Sequence, residues 1–514
     1  MRRFAEPAIR GATTMLLALG AQWLLHEAWP EAPFPPFGFG DWLIRHTPGD
    51  LATEAIERLG HFAREGLALS IVLVLLLFGA VIGRAGWHVF AGGAAGVTLL
   101  ASFAAPISPS GGGLLAAAFT GAVTAALAKF VGDSERETRP RPGNAAGAAS
   151  RRRLLSGTLG GVIVLLAGAA FIGRATRTGP RGTVVATVRA DLAPDPGFIE
   201  PAGITPRVTA PTDHYVVDIN LDRPRQDRDR WRLKITGLVD KRLSLKYDDL
   251  LTLPTSERAI YLQCISNIVA GDLMANALWT TVPLSSVLSL AQPKADARTI
   301  VVRAVDGYHE SYPISLAPQI HVALGMGGEV VPQDHGHPIR LLYPHHYGMR
   351  SIKWITSIEL IDGESDGYWQ ERGWDREAPL RLGARIDTPR GGDDLERQVT
   401  LGGVAWGPGA VTGVDVAIDP GEDSLRLDAS GGVPLNSGAE KTTVTSTVSW
   451  QPMQLERPLS SDAWTRWTGT LALEPGEHQL VVRAMDAAGP QESLSRSPHP
   501  SGASGYHRVT VRVH

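Results

Sequence analysis

Apolar stretches recur through the first third of this chain, each long enough to matter to a bilayer, and none recurs in the remainder. They run from Ala12 to Trp29, Gly66 to Ile82, Gly86 to Ala105, Gly112 to Phe130 and Gly157 to Ile172. A helix crossing a hydrocarbon core needs about 20 predominantly apolar residues, so the pattern predicts a multi-span α-helical membrane region of about five helices over residues 1–178. Basic residues cluster at Arg2 and Arg3, at Arg84, and from Lys129 to Arg153, whereas the segment from Glu31 to Glu65 carries more acids than bases. Lysine and arginine concentrate on the cytoplasmic side of membrane proteins. The alternation therefore predicts a multi-pass protein of the cytoplasmic membrane, in contact with lipid, whose long C-terminal part lies outside the cytoplasm.

Ser150-Arg-Arg-Arg-Leu-Leu155, just before the fifth stretch, has the form of a twin-arginine export signal. An ordinary positively charged anchor accounts for the same residues. His26, His61 and His88 lie in or near the stretches. Paired intramembrane histidines can ligate haem, although interfacial or loop histidines are the plainer reading.

After a linker over residues 179–211 the composition becomes that of a water-exposed protein. The net charge is −3, and the 13 tryptophans lie outside any basic run, so no nucleic-acid surface is indicated. Trp231-Arg-Leu-Lys-Ile-Thr-Gly237 alternates as a strand does. Tyr247-Asp-Asp-Leu-Leu251 opens as a short helix with Ser244 as a plausible cap, and Ile300-Val-Val-Arg-Ala-Val305 ends on the turn signal Asp306-Gly307. Mixed elements of this kind predict an α+β domain over residues 212–390. Beyond it, Val414, Val416 and Ile418 alternate with smaller or polar residues, and His478–Ala484 and Tyr506–Val513 repeat the pattern. Residues 391–514 are expected to form an immunoglobulin-like β-sandwich.

Two clusters carry chemistry. The single cysteine, Cys264, follows the apolar run Ala259-Ile-Tyr-Leu262, which puts it at a strand end entering a loop. A lone cysteine is often just a small buried residue. A thiolate is also a soft ligand for a transition metal, and no second metal-ligating motif accompanies it, so any further ligands would come from an organic cofactor. The other cluster is His335-Gly-His-Pro-Ile-Arg340 followed by Tyr347-Gly-Met-Arg-Ser-Ile-Lys-Trp354. Arginine's planar fork and lysine's point charge suit a phosphate. A solvated loop is the plainer reading of these residues taken alone.

Taken in order, the clusters resemble the sulfite oxidase family, in a membrane-anchored bacterial form. Cys264 with Asn267 comes first, then Gly271-Asp-Leu273 and Trp279-Thr-Thr-Val-Pro-Leu284. Asp306-Gly-Tyr308, Met326-Gly-Gly-Glu329, His335 to Arg340, Arg350-Ser-Ile-Lys-Trp354 and Tyr368-Trp-Gln-Glu-Arg-Gly-Trp374 follow. The resemblance covers about Asp213 to His514. It implies a sulfite-oxidase-type molybdopterin domain, a molybdenum-molybdopterin cofactor, and oxo transfer on a small sulfur or nitrogen compound. Cys264 would be the metal ligand and the catalytic residue. His335, Arg340, Ser351 and Lys353 would hold the pterin and its phosphate, and Asn267 would shape the loop beside the metal. It further implies an external electron carrier as partner and a homodimer through the C-terminal domain.

The sequence also departs from that pattern. A basic residue expected directly after the Asn is Ile268, an expected Tyr is Leu324, and an expected early Arg falls in His214-Tyr-Val-Val-Asp218. A site with fewer cations holds an anion such as sulfite less well, which leaves substrate and direction of electron flow open. The competing readings are an extracytoplasmic binding protein that has lost its cofactor, and a transporter or sensor. No charged residue falls in the middle of a stretch, which disfavours a transport path.

Overall fold

The computed structural model describes residues 2–28, 34–48, 62–82, 182–421 and 448–514, with a few isolated positions between. It divides into two compact units. One is built from residues 1–48, 58–181 and 218–225, the other from 49–57, 182–217 and 226–514.

The first unit contains α1 (Arg2–Ala28), α2 (Pro35–His46) and α3 (Phe62–Ile82). Here the membrane expectation is corrected, for among the described residues no helix is long and apolar enough to cross a membrane. The cause is where polar residues fall. Helix α1 holds Arg2, Arg3, Glu6 and Arg10 in its first third and Gln22, His26 and Glu27 near its end. Helix α2 has only 12 residues. Helix α3 opens with Arg64 and Glu65, so its uncharged stretch begins only at Gly66. The multi-span domain and the multi-pass, extracytoplasmic placement built on it fall with this finding. The stretches expected at 86–105, 112–130 and 157–172, the twin-arginine segment at 150–155, and His61 and His88 lie outside the described residues, single positions aside. His26 is buried, with its Nε2 3.2 Å from the Asp222 carboxylate.

The second unit is mostly β, which corrects the α+β expectation as well. Its first ten strands are β1 (Leu233–Gly237), β2 (Leu243–Leu245), β3 (Ser256–Gln263), β4 (Met274–Pro283), β5 (Thr299–Ala304), β6 (His309–Pro313), β7 (His321–Met326), β8 (Glu329–Val330), β9 (Arg340–Leu342) and β10 (Ile355–Ile361). Their only companion α-helices among the described residues are α4 (Tyr247–Leu251) and α5 (Leu284–Ser289). Lys246 caps α4, its N–H donating to the Asp249 carboxylate at 2.7 Å, while Ser244 belongs to β2.

Two sheets result, in the orders β2-β1-β10-β5-β6 and β3-β4-β7-β8 with β9 on β7. In β1, Leu233 and Ile235 are fully buried while Lys234 between them is exposed, the period of a strand with one face on a core. In β7 every residue is buried, because that sheet is covered on both faces. Val282, Val322, Leu324, Ile339 and Leu341 pack with Leu233, Ile235, Ile300, Val302 and Ile358 between the sheets. Ile260, Leu262, Trp279, Ala323 and Leu342 form a separate cluster with Tyr215. The segment expected as a linker is partly bound here, since Thr183 bridges to Glu329 and Val188 to Ser256.

Ten further strands follow: β11 (Gly383–Thr388), β12 (Asp394–Leu395), β13 (Gln398–Trp406), β14 (Gly413–Ile418), β15 (Trp450–Pro452), β16 (Gln454–Leu455), β17 (Thr465–Ala472), β18 (Gly476–Asp486), β19 (Gly489–Pro490) and β20 (His507–Val513). They pair as β11-β13-β17-β16 and β12-β20-β18-β14-β15. Leu401, Trp467, Val416, Val482 and Val511 form the core shared by the two sheets. Because β11 already pairs with β13, these sheets begin before residue 390.

Candidate active site

The site starts from a hairpin. Strands β3 and β4 pair up to Gln263↔Met274, and the connection between them is tied to itself. Cys264 N–H donates to Leu273 O at 2.9 Å, Asn267 N–H to Cys264 O at 3.0 Å, and Gly271 N–H to Ile268 O at 3.0 Å. The Asn267 side chain spans the loop, its Oδ1 accepting from Leu273 N–H at 3.1 Å. A Cβ on residue 271 would stand 2.2 Å from that oxygen, so glycine is required for the loop to close. The result is a half-buried thiol at the end of a rigid strand, with Ser266 Oγ 3.0 Å from its sulfur. Burial pushes the Cys264 thiol above its ordinary value, opposed by hydrogen bonds from Ser266 and by the charge of Lys353. A bound cation would reverse that balance, because metal ligation deprotonates a thiol outright.

The second cluster folds toward the same place. His335 ends a 3-10 turn, Gln333–His335, and Gly336 follows in the left-handed region (φ 111°). A Cβ on Gly336 would come within 3.0 Å of Lys353 Cα and 3.1 Å of Arg340 Cβ, so glycine lets the turn sit on both cations. Arg340 is buried. Its Nη1 donates to His335 O at 3.2 Å, its Nη2 to Ser351 O at 2.9 Å, and its guanidinium lies 5.3 Å from the Trp279 ring centroid. Burial lowers it to about 10, so it stays cationic at neutral pH. Ser351 Oγ accepts from Tyr343 N–H at 3.0 Å and keeps its own proton to donate. Lys353 Nζ donates to Asp334 O at 3.1 Å and lies 4.5 Å from the Trp354 ring centroid.

His214 belongs to this group and was not singled out as a site residue from the sequence. Its ring lies 5.0 Å from His335 and 5.9 Å from Trp279. Burial, reinforced by His335, Arg340 and Lys353, lowers it to about 3, and burial lowers His335 to about 4, so both rings are neutral at pH 7. His214 Nδ1 faces Tyr215 O at 2.9 Å, a contact only a donor can make, so Nε2 is an acceptor. That Nε2 is buried without a partner. No sequence signal marks this isolated histidine, and only the sheet brings it to Trp279 and His335. Tyr215 is a neighbour of the thiol, its phenol raised by burial first and by the Cys264 charge second.

Other conspicuous residues are engaged elsewhere. Arg350 forms a buried pair with Glu310 (2.6 Å) and packs on Tyr312. His345 pairs with Asp462, and His346 stacks on Tyr343 at 3.7 Å, so neither supplies the cation missing at Ile268.

A buried acceptor with no partner, an aromatic face and two cations together fit a heterocycle bearing N–H donors and an anionic group. Residues 220–369 match the family described as the oxidoreductase molybdopterin binding domain. The mitochondrial sulfite oxidase of Homo sapiens is 26% identical over 339 residues, which take 56% of this chain and 57% of that protein. The protein-methionine-sulfoxide reductase catalytic subunit MsrP of Gluconobacter oxydans is 30% identical over 190 residues, covering 33% of this chain and 59% of that protein. The solved sulfane dehydrogenase SoxCD from Paracoccus pantotrophus aligns at 18% identity with a TM-score of 0.47, over 66% of this chain and 92% of that one. Residues 220–369 are thus similar to the molybdopterin binding domain of an oxidoreductase, and the relatives matched include sulfite oxidases and a methionine sulfoxide reductase. The chain spans a little over half the length of the curated relatives named here.

Proposed function

We propose that this protein transfers an oxo group to or from a small sulfur or nitrogen compound at a molybdenum ligated by Cys264. The observation that carries this reading is the convergence of two sequence-distant clusters. The charge of Lys353 bears on the strand-end thiol, and the same lysine, with Arg340, bears on the His214 ring, whose Nε2 is a buried acceptor without a partner. When bound, the molybdenum-molybdopterin supplies the two-electron redox change and exchangeable oxygen. The protein's residues do the holding. Cys264 offers the thiolate, and Arg340 and Lys353 offset the phosphate charge. The Ser351 hydroxyl supplies a hydrogen bond, the His214 ring accepts one, the His335 ring, whose Nε2–H is given to Pro211 O at 2.8 Å, can likewise only accept, and Asn267 keeps the cysteine loop closed. Residues 212–390 would form most of the cofactor-binding part.

Ile268 is 55% exposed beside the cysteine loop. An apolar residue at that position favours a weakly charged substrate over an oxyanion. Electrons would pass to or from an external carrier, since this sequence has a single cysteine and so cannot build an iron–sulfur cluster of its own. Molybdenum K-edge absorption of wild type and of Cys264→Ser tests the ligand role. The loss of one sulfur neighbour in the variant is expected, and an unchanged sulfur count would overturn it.

A further inference from the structure

Three segments distant in sequence meet beside β3, outside the cofactor cluster. Ser460–Asp462 runs along the strand: Tyr261 N–H donates to Asp462 O at 2.8 Å, and Ser460 Oγ donates to Ala259 O at 2.5 Å. The Asp462 carboxylate is buried. Its Oδ2 receives Arg258 Nε at 3.1 Å and Nη2 at 2.6 Å, and its Oδ1 receives His345 Nε2 at 3.3 Å and Ser461 Oγ at 3.2 Å. That ring therefore faces a buried carboxylate, and its protonation makes the contact a charge-assisted one. Gly407, just past β13, lines the same cleft as the His345 ring. This cleft, enclosing about 400 Å³, solvent included, is also lined by Tyr261, Trp406 and Asp462, so solvent protons reach the ring.

We propose that Asp462, His345 and Arg258 form a proton-dependent clasp. It holds the strand ending at Cys264 to the loop carrying Ser351 and to the C-terminal sheets, and it is tightest when His345 is protonated. The hydrogen bond to Asp462 raises His345 above its ordinary 6.5, against burial and the Arg258 charge. A histidine raised on folding contributes fully below about pH 6.5 and loses that contribution as pH climbs through its folded value. For Asp462, burial pushes upward, but His345 and Arg258 together bring it to about 2 from the ordinary 3.8. Its contribution is present above that ordinary value and fades only as pH falls toward 2. Of the other charged or titratable groups nearby, His346 is lowered by burial, and His321 is lowered by burial and by Arg258. Both are neutral above pH 6.5, which leaves His345 as the group that changes charge there. The clasp would act whatever reaction Cys264 supports.

Hydrogen exchange at the Tyr261 amide, read as a protection factor to remove the intrinsic effect of pH, tests this on the full chain. Between about pH 6 and pH 8.5 the wild-type factor should fall about fivefold, while the Ile235 amide in the other sheet stays level. In His345→Gln the Tyr261 factor should already be low at pH 6 and change little. In His345→Arg, with its permanent charge, it should stay high at both. Asp462→Asn should resemble His345→Gln. A wild-type factor that does not move, or one that falls equally in His345→Gln, would overturn the clasp.

Discussion

At Cys264 two influences oppose each other: burial disfavours the thiolate, while Ser266 and Lys353 favour it. Because the thiol is only half-buried, Cys264→Ser should change stability by less than about 1 kcal/mol and yet abolish turnover. Thermal unfolding beside a steady-state assay checks both halves of that expectation. Arg340 is the opposite case, buried and bonded to two backbone carbonyls, so that it serves the fold as well as the proposed cofactor site. Arg340→Met strips the donors from the His335 and Ser351 carbonyls, and should cost about 2–3 kcal/mol in denaturant unfolding as well as most of the bound pterin. Arg340→Lys should restore only part, because a point charge cannot serve two carbonyls as a fork does. Cys264 and Arg340 were legible in the sequence, one as the end of an apolar run and the other within a dense cationic cluster. His214 was not, since its place beside Trp279 and His335, 65 and 121 residues away, comes only from sheet packing.

Among elements, the β3–β4 hairpin matters most. Gly271→Ala drives a methyl into the Asn267 side chain, and about 1–3 kcal/mol of destabilisation is expected. Asn267→Ala should itself weaken the loop, but in the Gly271→Ala background the two effects should fall short of adding, because the same contact is lost. A double-mutant cycle by urea unfolding measures that coupling. Strand and loop were readable here because the second half of β3 is an apolar run, Ala259–Leu262, that stops at Gln263-Cys264. The N-terminal helices misled for a related reason. Apolar content was evident in Ala12 to Trp29 and Gly66 to Ile82, but helix α1 carries its charged and polar ends within the same helix, and a hydropathy run does not show where a helix begins. The Arg350–Glu310 pair was equally hidden, its members lying on separate elements and meeting only when β6 packs beneath the 348–350 turn.

Across the whole molecule, His214, His321, His335 and His507 are held neutral by burial, the first at about 3 and the others at about 4. Each binds a proton more readily when unfolded, so stability should drop as pH falls from about 6.5 toward 4, by a few kcal/mol in total. Urea unfolding at pH 7 and pH 5 should show it as a lower midpoint with an unchanged slope. That window lies below the one in which the His345 clasp loosens, so the two effects separate on the pH axis. The account as a whole turns on the cofactor, and molybdenum content with pterin fluorescence, measured on protein purified from a molybdenum-replete host, tests it most directly. About one molybdenum per chain, with pterin released on denaturation, is the expected result. Protein that is folded by thermal unfolding yet carries neither molybdenum nor pterin would contradict it.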